Sequence, residues 1–516
     1  MSAMSEPTIA MSAGRRTMIT VCVMIATLMQ ALDTTNATMA LPYMRSSLSA
    51  GPDQITWVLS SYVVMAAIMT APVGWLARRF GRRNLFLITM AGFTVSSMLS
   101  GMATSLTQIV IFRLMQGAFG AALIPLSQST LLDIYPIEQR GSALSLWGVG
   151  VMVGPVVGPT IGGYITEAYH WRYIFYLNVP VGLLAMTSLW LLLDDDRNRE
   201  APPFDWIGFA TIGVAIGAIQ LMLDRGNQQD WFNSTEIIAA LVIGCLGLYL
   251  FVVHLMTARR PLVSPRIFVD RNYVASFVML FMVGVVLLST TALVALYLQN
   301  MMGYPVLEAG MMLAPRGIGT MIGMLIVGRV SNLVDPRLLV LTGVSLVTTS
   351  LWMMSGWTPD ITPFTLGSTT IMQGVGLGLV FVPLNVIAFT TLPADLRTEA
   401  SGFLNLIRYT GQAIGVSVAT FLLVRGTQTM HAMIGEHITP FNRMLHDGAA
   451  YFRWSPLRPR GLVALNEEVT RQAAIAAYSN VFLFLMVVAM TIGMLLLLVK
   501  PARMPSREQV VKIRPN

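Results

Sequence analysis

Charge is scarce in this sequence: Asp, Glu, Lys and Arg make up 11% of the 516 residues, against about 25% in a usual soluble domain. Such a chain cannot cover its apolar side chains with polar surface, which excludes an ordinary water-soluble globule. Lysine is scarcer still, confined to Lys500 and Lys512. No Gly-x-x-x-x-Gly-Lys-Ser/Thr phosphate loop can be written, so ATP binding of that kind is excluded and no cofactor is expected. The two cysteines, Cys22 and Cys245, both fall inside apolar runs, which argues against a disulfide framework and leaves them as packing residues. The short alternating apolar and polar segments of an outer-membrane barrel are missing too. The net charge of +8 does not point to nucleic acid, because the arginines sit in short clusters between apolar runs and form no basic stripe. No cluster of nucleophiles or metal ligands stands out, so neither an enzyme nor a metal site is expected. His431, His437 and His446 read as part of a solvated connection.

Apolar sequence is what the chain has in abundance. Hydrophobic residues reach 55% and the mean hydropathy is +0.66. Runs such as 207–222, 274–298 and 481–499 approach or pass the roughly 20 residues a bilayer-spanning helix needs. They are apolar on all sides, which makes them helices in lipid. The expected fold class is an all-α integral membrane protein with about fourteen spans, at 17–41, 54–77, 84–104, 107–132, 142–166, 173–193, 205–223, 235–257, 273–298, 308–328, 338–357, 364–391, 401–424 and 475–499. An even number sets both termini on one side. Arginines gather in alternate connections, among them Arg78, Arg79, Arg82 and Arg83, then Arg197 and Arg199, Arg259 and Arg260, Arg329 and Arg337; this bias marks their side as the cytoplasm. The longest connection, 425–471, carries six arginines on the opposite side, and long loops translocate regardless of charge. Its mixture of aromatics, prolines and charges predicts an ordered loop or a partner surface. The first apolar run has no small-residue cleavage pattern, so it is expected to remain as an anchor.

Weak repetition divides the chain. Gly74-Trp-Leu-Ala-Arg-Arg-Phe-Gly-Arg-Arg follows the second span and Gly328-Arg-Val-Ser-Asn-Leu-Val-Asp-Pro-Arg follows the tenth; Arg113-Leu-Met-Gln-Gly echoes Gln373-Gly-Val-Gly. Paired halves of this kind are how many transporters build alternating access. The predicted organisation is a cytoplasmic tail at 1–16, a six-helix bundle at 17–193, an inserted two-helix region at 194–272, a second six-helix bundle at 273–499 containing the periplasmic loop 425–472, and a basic cytoplasmic tail at 500–516. Within the fifth span, Gly150, Gly154, Gly158 and Gly162 recur every four residues, interleaved with Pro155 and Pro159 and followed by Gly163. Such glycines let a neighbouring helix approach closely, and each proline removes a backbone hydrogen bond.

These motifs, in this order, resemble the major facilitator superfamily and, within it, the fourteen-helix EmrB-like drug:proton antiporters. Leu32-Asp-Thr-Thr with Ala40-Leu-Pro, the basic Gly74 turn, Arg113-x-x-Gln-Gly, the Gly-Pro span and Trp171-Arg-Tyr-Ile-Phe-Tyr-Leu-Asn-Val-Pro-Val-Gly carry the likeness over nearly the whole chain. Leu223-Asp-Arg-Gly, Asp230-Trp-Phe and Pro440-Phe-Asn add the narrower one. The resemblance implies the major facilitator fold, an antiporter motif in the fifth span, and a gating loop at Gly74, Gly81, Arg82 and Arg83. Two positions depart from it: Arg78 stands where the family's turn has an Asp, so that charge relay is not carried over. Thr38 stands where an asparagine is common, with Asn36 half a turn earlier.

Ionisable groups inside spans are costly, so each is a functional candidate. Asp33, set among Leu28, Met29, Ala31 and Leu32, is the leading proton carrier, and Arg113 its partner: proton release would let the pair form and proton or substrate arrival would break it. The plain alternatives are a capping or packing carboxylate for Asp33 and a hydrogen-bond hub for Arg113. Arg316 and Arg408 come second, and Arg408 can snorkel to the cytoplasmic interface. Asp133, Asp224 and Glu308 lie at span ends, where caps and solvated charges are the ordinary reading. By the resemblance, the substrate cavity would be lined by Gln30, Asn36, Tyr62, Gln128, Tyr297, Gln373, Phe381, Asn385, Asn405 and Gln412. The function it implies is proton-coupled export of hydrophobic or amphipathic drugs across a bacterial inner membrane, with an EmrA-like periplasmic adaptor and a TolC-like outer-membrane channel as partners. A proton-coupled metabolite symporter or facilitator on the same scaffold is the alternative.

Overall fold

The computed structural model describes residues 13–55, 57–136, 139–193, 203–226, 229–259, 261–331, 333–393, 396–438, 454 and 458–499. The expected tails up to residue 12 and from 500, the Arg197 and Arg199 connection, Arg260, and the Pro440-Phe-Asn stretch with His446 lie outside those residues. Among the described residues all regular structure is helical. In chain order the helices are α1 (Ala13–Ser47), α2 (Pro52–Ile55), α3 (Trp57–Thr70), α4 (Val73–Phe80), α5 (Arg82–Met102), α6 (Leu106–Gly120), α7 (Leu123–Ile134), α8 (Arg140–Ala168), α9 (Tyr173–Tyr176) and α10 (Asn178–Leu192). Then come α11 (Trp206–Arg225), α12 (Thr235–Thr257), α13 (Arg271–Asn300), α14 (Val306–Val330), α15 (Pro336–Ser355), α16 (Pro363–Thr390), α17 (Arg397–Glu436) and α18 (Pro459–Leu495).

Thirteen of these stretches are long and apolar enough to cross a membrane, and the bent pair α3 and α4 makes fourteen. That pair is the predicted second span, broken by 61° at Ala71-Pro72, where proline has no N–H to continue the helix. The predicted fourth span likewise divides into α6 and α7 at Ala121 and Ala122. By contrast, α8 stays continuous through Pro155 and Pro159.

Helices α1 to α10 pack among themselves, as do α13 to α18, while α11 and α12 pair with each other and α11 touches both α3 and α17. The two groups meet along α8 with α14, and where α17 crosses α3, α4 and α7. The α8 glycines lie against α1: a Cβ at Gly154 would stand 2.7 Å from the Ala31 Cβ, and one at Gly162 2.9 Å from Asn36 Oδ1. Those distances leave no room for any side chain, which explains the four-residue repeat. Gly163 is buried one position on.

The predicted long loop 425–471 needs correction. Helix α17 continues to Glu436 and α18 begins at Pro459, so much of that connection is two helical extensions. At 40 residues α17 is about 60 Å long, roughly twice the hydrocarbon thickness. Leu465 and Val469 of α18 pack with Ile434, Ile438 and Trp454, and His431 bonds to Asn466 at 3.0 Å. A polar segment keeps helical form here because an apolar stripe on each arm finds the other.

Gly154→Val should push α1 off α8 and destabilise the protein by about 1–3 kcal/mol. Thermal unfolding in detergent is the check; an unchanged midpoint would mean that the helices are not in close contact.

Candidate functional site

The centre of the first helix group holds a buried polar cluster whose hydrogen-bonding side chains come from four helices, α1, α5, α6 and α10. Asp33, 2% exposed, comes from α1 and Arg113, fully buried, from α6. Arg113 donates to Asp33 Oδ2 at 2.6 Å, to Gln116 Oε1 at 2.9 Å and, through Nε, to the Val58 carbonyl at 3.1 Å. The other carboxylate oxygen, Oδ1, accepts from Gln116 Nε2 at 2.8 Å and from Asn178 Nδ2 at 2.7 Å. Asn178 also donates to Ser97 Oγ at 2.9 Å, which donates to the Phe175 carbonyl at 2.8 Å. All of Asp33's partners donate, the arrangement of an ionised carboxylate held by a cation. The guanidinium carbon lies 4.5 Å from the Tyr62 ring centre and 5.7 Å from that of Phe175. In lipid, a pair this buried persists only when it is well coordinated; both carboxylate oxygens and the Nε and Nη1 of Arg113 are hydrogen-bonded, while Nη2 has no hydrogen-bond partner among the described residues.

The structure therefore joins the two leading sequence candidates and adds Gln116, Asn178 and Ser97, which had not been singled out as site residues. Gln116 stands three residues after Arg113, on the same helical face. Asn178 lies in the Leu-Asn-Val-Pro stretch that helped carry the family likeness. Nothing distinguishes Ser97 from the other serines of the chain.

A second cluster closes the basic end of the bundle. A Cβ on Gly74 would stand 2.9 Å from that of Glu399, so this glycine lets α4 lie against α17. Arg78 then reaches Glu399 at 3.0 Å, and the other Glu399 oxygen accepts from the Ser264 N–H. Glu399 is 3% exposed. Asp133 accepts from Arg82 and, at 3.2 Å, from Arg397, which ties the first helix group to α17; it is an exposed charge at its span end, as read from the sequence, and bridges two arginines besides. Gly81, at φ 77°, turns the chain between α4 and α5 in a region that favours glycine. Arg83 donates to the Trp190 carbonyl at 2.6 Å. The acidic residue absent from the turn is thus replaced by a reversed pair, Arg78 in the turn and Glu399 in the first turn of α17.

The remaining candidates separate. Gln128 joins the groups by accepting from Ser401 at 2.6 Å and from Asn405 at 3.0 Å. Arg408 donates to Asn405 Oδ1 at 2.9 Å, and its guanidinium lies 5.3 Å from the Phe381 ring centre. It therefore points into the bundle and does not snorkel, because the aromatic faces of Phe381 and Tyr409 hold it there. Gln30, Asn36 and Gln373 are buried, Gln412 is partly so, and Asn385 donates to its own helix at Phe381 O. Tyr297 leaves the expected set: it packs against Trp357 and Tyr478, on the side of α13 turned toward α18 and the segment that follows α15. Glu308 is exposed in the first turn of α14, as a span-end charge should be. His431 and His437 belong to no metal-holding group among the described residues.

Arg113→Gln should destabilise the protein by about 3–5 kcal/mol by stranding Asp33, and adding Asp33→Asn should recover much of the loss in detergent melting. If the double variant melts no higher than the single, the pair is not what holds these helices. At the basic end, Arg78→Glu should raise labelling of a Ser401→Cys probe, and Glu399→Arg added to it should bring labelling back down. Equal labelling in all three backgrounds would remove the pair as a latch.

The sequence profile described as Major Facilitator Superfamily matches residues 23–416. The Multidrug export protein EmrB of Haemophilus influenzae is 36% identical over 83% of this chain and 84% of its own length. The Fatty acid resistance protein FarB of Neisseria gonorrhoeae is 34% identical over 90% and 92%. Among solved structures, the human organic anion transporter MFSD10 superposes with a TM-score of 0.59 at 14% identity, over 92% of this chain and 99% of that one; at that identity the likeness concerns the fold. By the profile and by these relatives, the chain is a multi-pass membrane transporter that belongs to the major facilitator superfamily, in the branch of the EmrB-type multidrug exporters.

Proposed function

We propose that this protein is a proton-coupled antiporter that exports hydrophobic and amphipathic compounds across the bacterial inner membrane by alternating access. The observation that carries the reading is the Asp33–Arg113 pair, a titratable carboxylate and its cation buried inside membrane-spanning helices, where such groups persist for a function. The relatives named as multidrug export proteins supply the direction and the substrate type.

The arrangement supports a cycle. The arginine bias assigns the basic end to the cytoplasm, and there Arg78–Glu399, Arg82–Asp133–Arg397 and the Gln128 bridge join the two helix groups. This state is shut toward the cytoplasm. A proton arriving from outside would neutralise Asp33 and release Arg113 from its strongest partner. The change in packing between α1 and α6 would then bias the groups toward the state in which the cytoplasmic bridges are open. Substrate entering from the cytoplasm would favour loss of the proton inward and return of the pair. Energetically the proton acts only through its different affinity for the two states. The helical arms of α17 and α18 beyond the membrane offer the surface for an EmrA-like adaptor that leads to a TolC-like channel.

Efflux of a lipophilic dye from proteoliposomes under an imposed pH gradient tests the reading. The intact protein should move dye in proportion to the gradient, and Asp33→Asn should fall to the level of empty vesicles. Gradient-driven efflux retained by Asp33→Asn would take Asp33 off the proton path; efflux indifferent to the gradient would end the antiport proposal.

A further inference from the structure

We propose that the inserted helix pair is a brace on the cytoplasmic latch, in which Asp205 and the Ser264 N–H are the positioning groups that hold Glu399. The proposal rests on the alternating-access reading, where Arg78–Glu399 closes the basic end, and gives the inserted pair a part in it. Asp205 stands at the start of α11 with a side chain 8% exposed. Its Oδ1 caps α11 by accepting from the Gly208 N–H at 2.9 Å and lies 2.8 Å from His254 Nε2 in the last turn of α12. Its Oδ2 accepts from the Leu262 N–H at 2.8 Å. A helix cap needs one oxygen; the second here reaches a backbone amide 57 positions along the chain. One carboxylate therefore ties both inserted helices to the connection that leads on to α13.

That connection ends at the latch. Leu262, Val263 and Ile267 are buried, and between them the Ser264 N–H donates to one oxygen of Glu399 while Arg78 takes the other. The latch acid is thus gripped from two sides, by a guanidinium on α4 and by an amide of the connection. A backbone amide cannot swing as a side chain does. It is aimed by the chain around it, and the tie from Asp205 to Leu262 fixes that chain two residues upstream. Aromatic rings press the same region onto both helices of the latch. Phe204, next to Asp205, lies 4.7 Å from the Trp75 ring on α4. Phe251 of α12 stacks on Phe403 of α17 at 6.3 Å, and Phe268 meets Phe403 edge-on at 6.1 Å. Because α4 and α17 belong to different helix groups, whatever holds Glu399 in place favours the state shut toward the cytoplasm.

Labelling of a Ser401→Cys probe in the purified full chain, in detergent and without a gradient, tests the proposal. Asp205→Asn keeps one oxygen to cap α11 and turns an NH2 group toward the Leu262 N–H, so the helix stays capped and the tie is lost. Ser264→Pro removes the donor to Glu399, and the φ of −66° and ψ of 120° at this residue suit a proline. Each should raise the labelling rate about tenfold, as loss of one hydrogen bond to a charged group would. The two together should go no further than the larger single effect, and neither should add to Glu399→Ala, since all three act through one carboxylate. A merely structural role for Asp205 would lower the melting midpoint and add its effect to that of Glu399→Ala, a comparison that stands even if the proline variant does not fold. Parental labelling in Asp205→Asn while Glu399→Ala raises it overturns the proposal, as do additive effects. No arm uses a gradient, so failure of proton-driven efflux would sink the antiport reading alone.

Discussion

Burying a carboxylate and a guanidinium where water cannot solvate them is tolerable only if most of their lone pairs and protons find partners, and much of the first helix group is arranged to meet that demand, with Arg113 Nη2 alone left without a hydrogen bond in the pair. Asp33 on α1 takes its ligands from α6 and α10, while the guanidinium of Arg113 also caps the Val58 carbonyl on α3 and lies over Tyr62. Four helices converge on one ion pair. The close fit of α1 on the α8 glycines sits beside it, so a change in the charge of Asp33 is felt by helices that already have little slack. Interiors packed this closely respond to a lost contact by switching arrangement, since small gradual shifts would open voids.

The two ends of the transport path differ in what they spend their charges on. At the basic end the charges lie between the helix groups: Arg78 with the buried Glu399, and the partly exposed Asp133 shared by Arg82 and Arg397. The partly solvated Asp133 pairs are individually weak, which suits contacts that the proposed cycle would make and break. In the interior the charges are few and deeply buried, and there the first group balances its arginine while, among the described residues, Arg316 of the second is paired with no carboxylate. The repeat that relates the groups therefore preserves backbone geometry, as the matched Gly117 and Gly374 contacts show, while allowing the chemistry of the two halves to diverge.

Reversal of the turn's charge illustrates how such a scaffold absorbs change. A sequence reading that sees Arg78 in place of an acid has no means of finding its partner, because Glu399 lies more than three hundred positions away and looks like an ordinary acid in the first turn of a helix. Only the crossing of α4 and α17, permitted by the missing side chain at Gly74, brings them together. The same reason hid Asn178 from a reading that found Asp33 and Arg113: a buried amide acquires meaning from the charge it faces.

Composition and hydropathy alone determined that this chain is a helical membrane protein of about fourteen spans, since lipid excludes other backbone arrangements for runs that are apolar on every side, and the ordered motifs determined its family. The four-residue glycine repeat announced a close helix contact, although not that α1 is the partner. Tertiary structure decided what depends on distant segments meeting: the coordination of Asp33, the reversed Arg78–Glu399 pair, the inward turn of Arg408 and the removal of Tyr297 to an aromatic core. It also decided the form of the outer connection, where prolines and charges suggested a loop and mutual burial of Ile434, Ile438, Leu465 and Val469 holds two helical arms instead. Local pattern reports the solvent a segment sees; its neighbours in space are set by the fold.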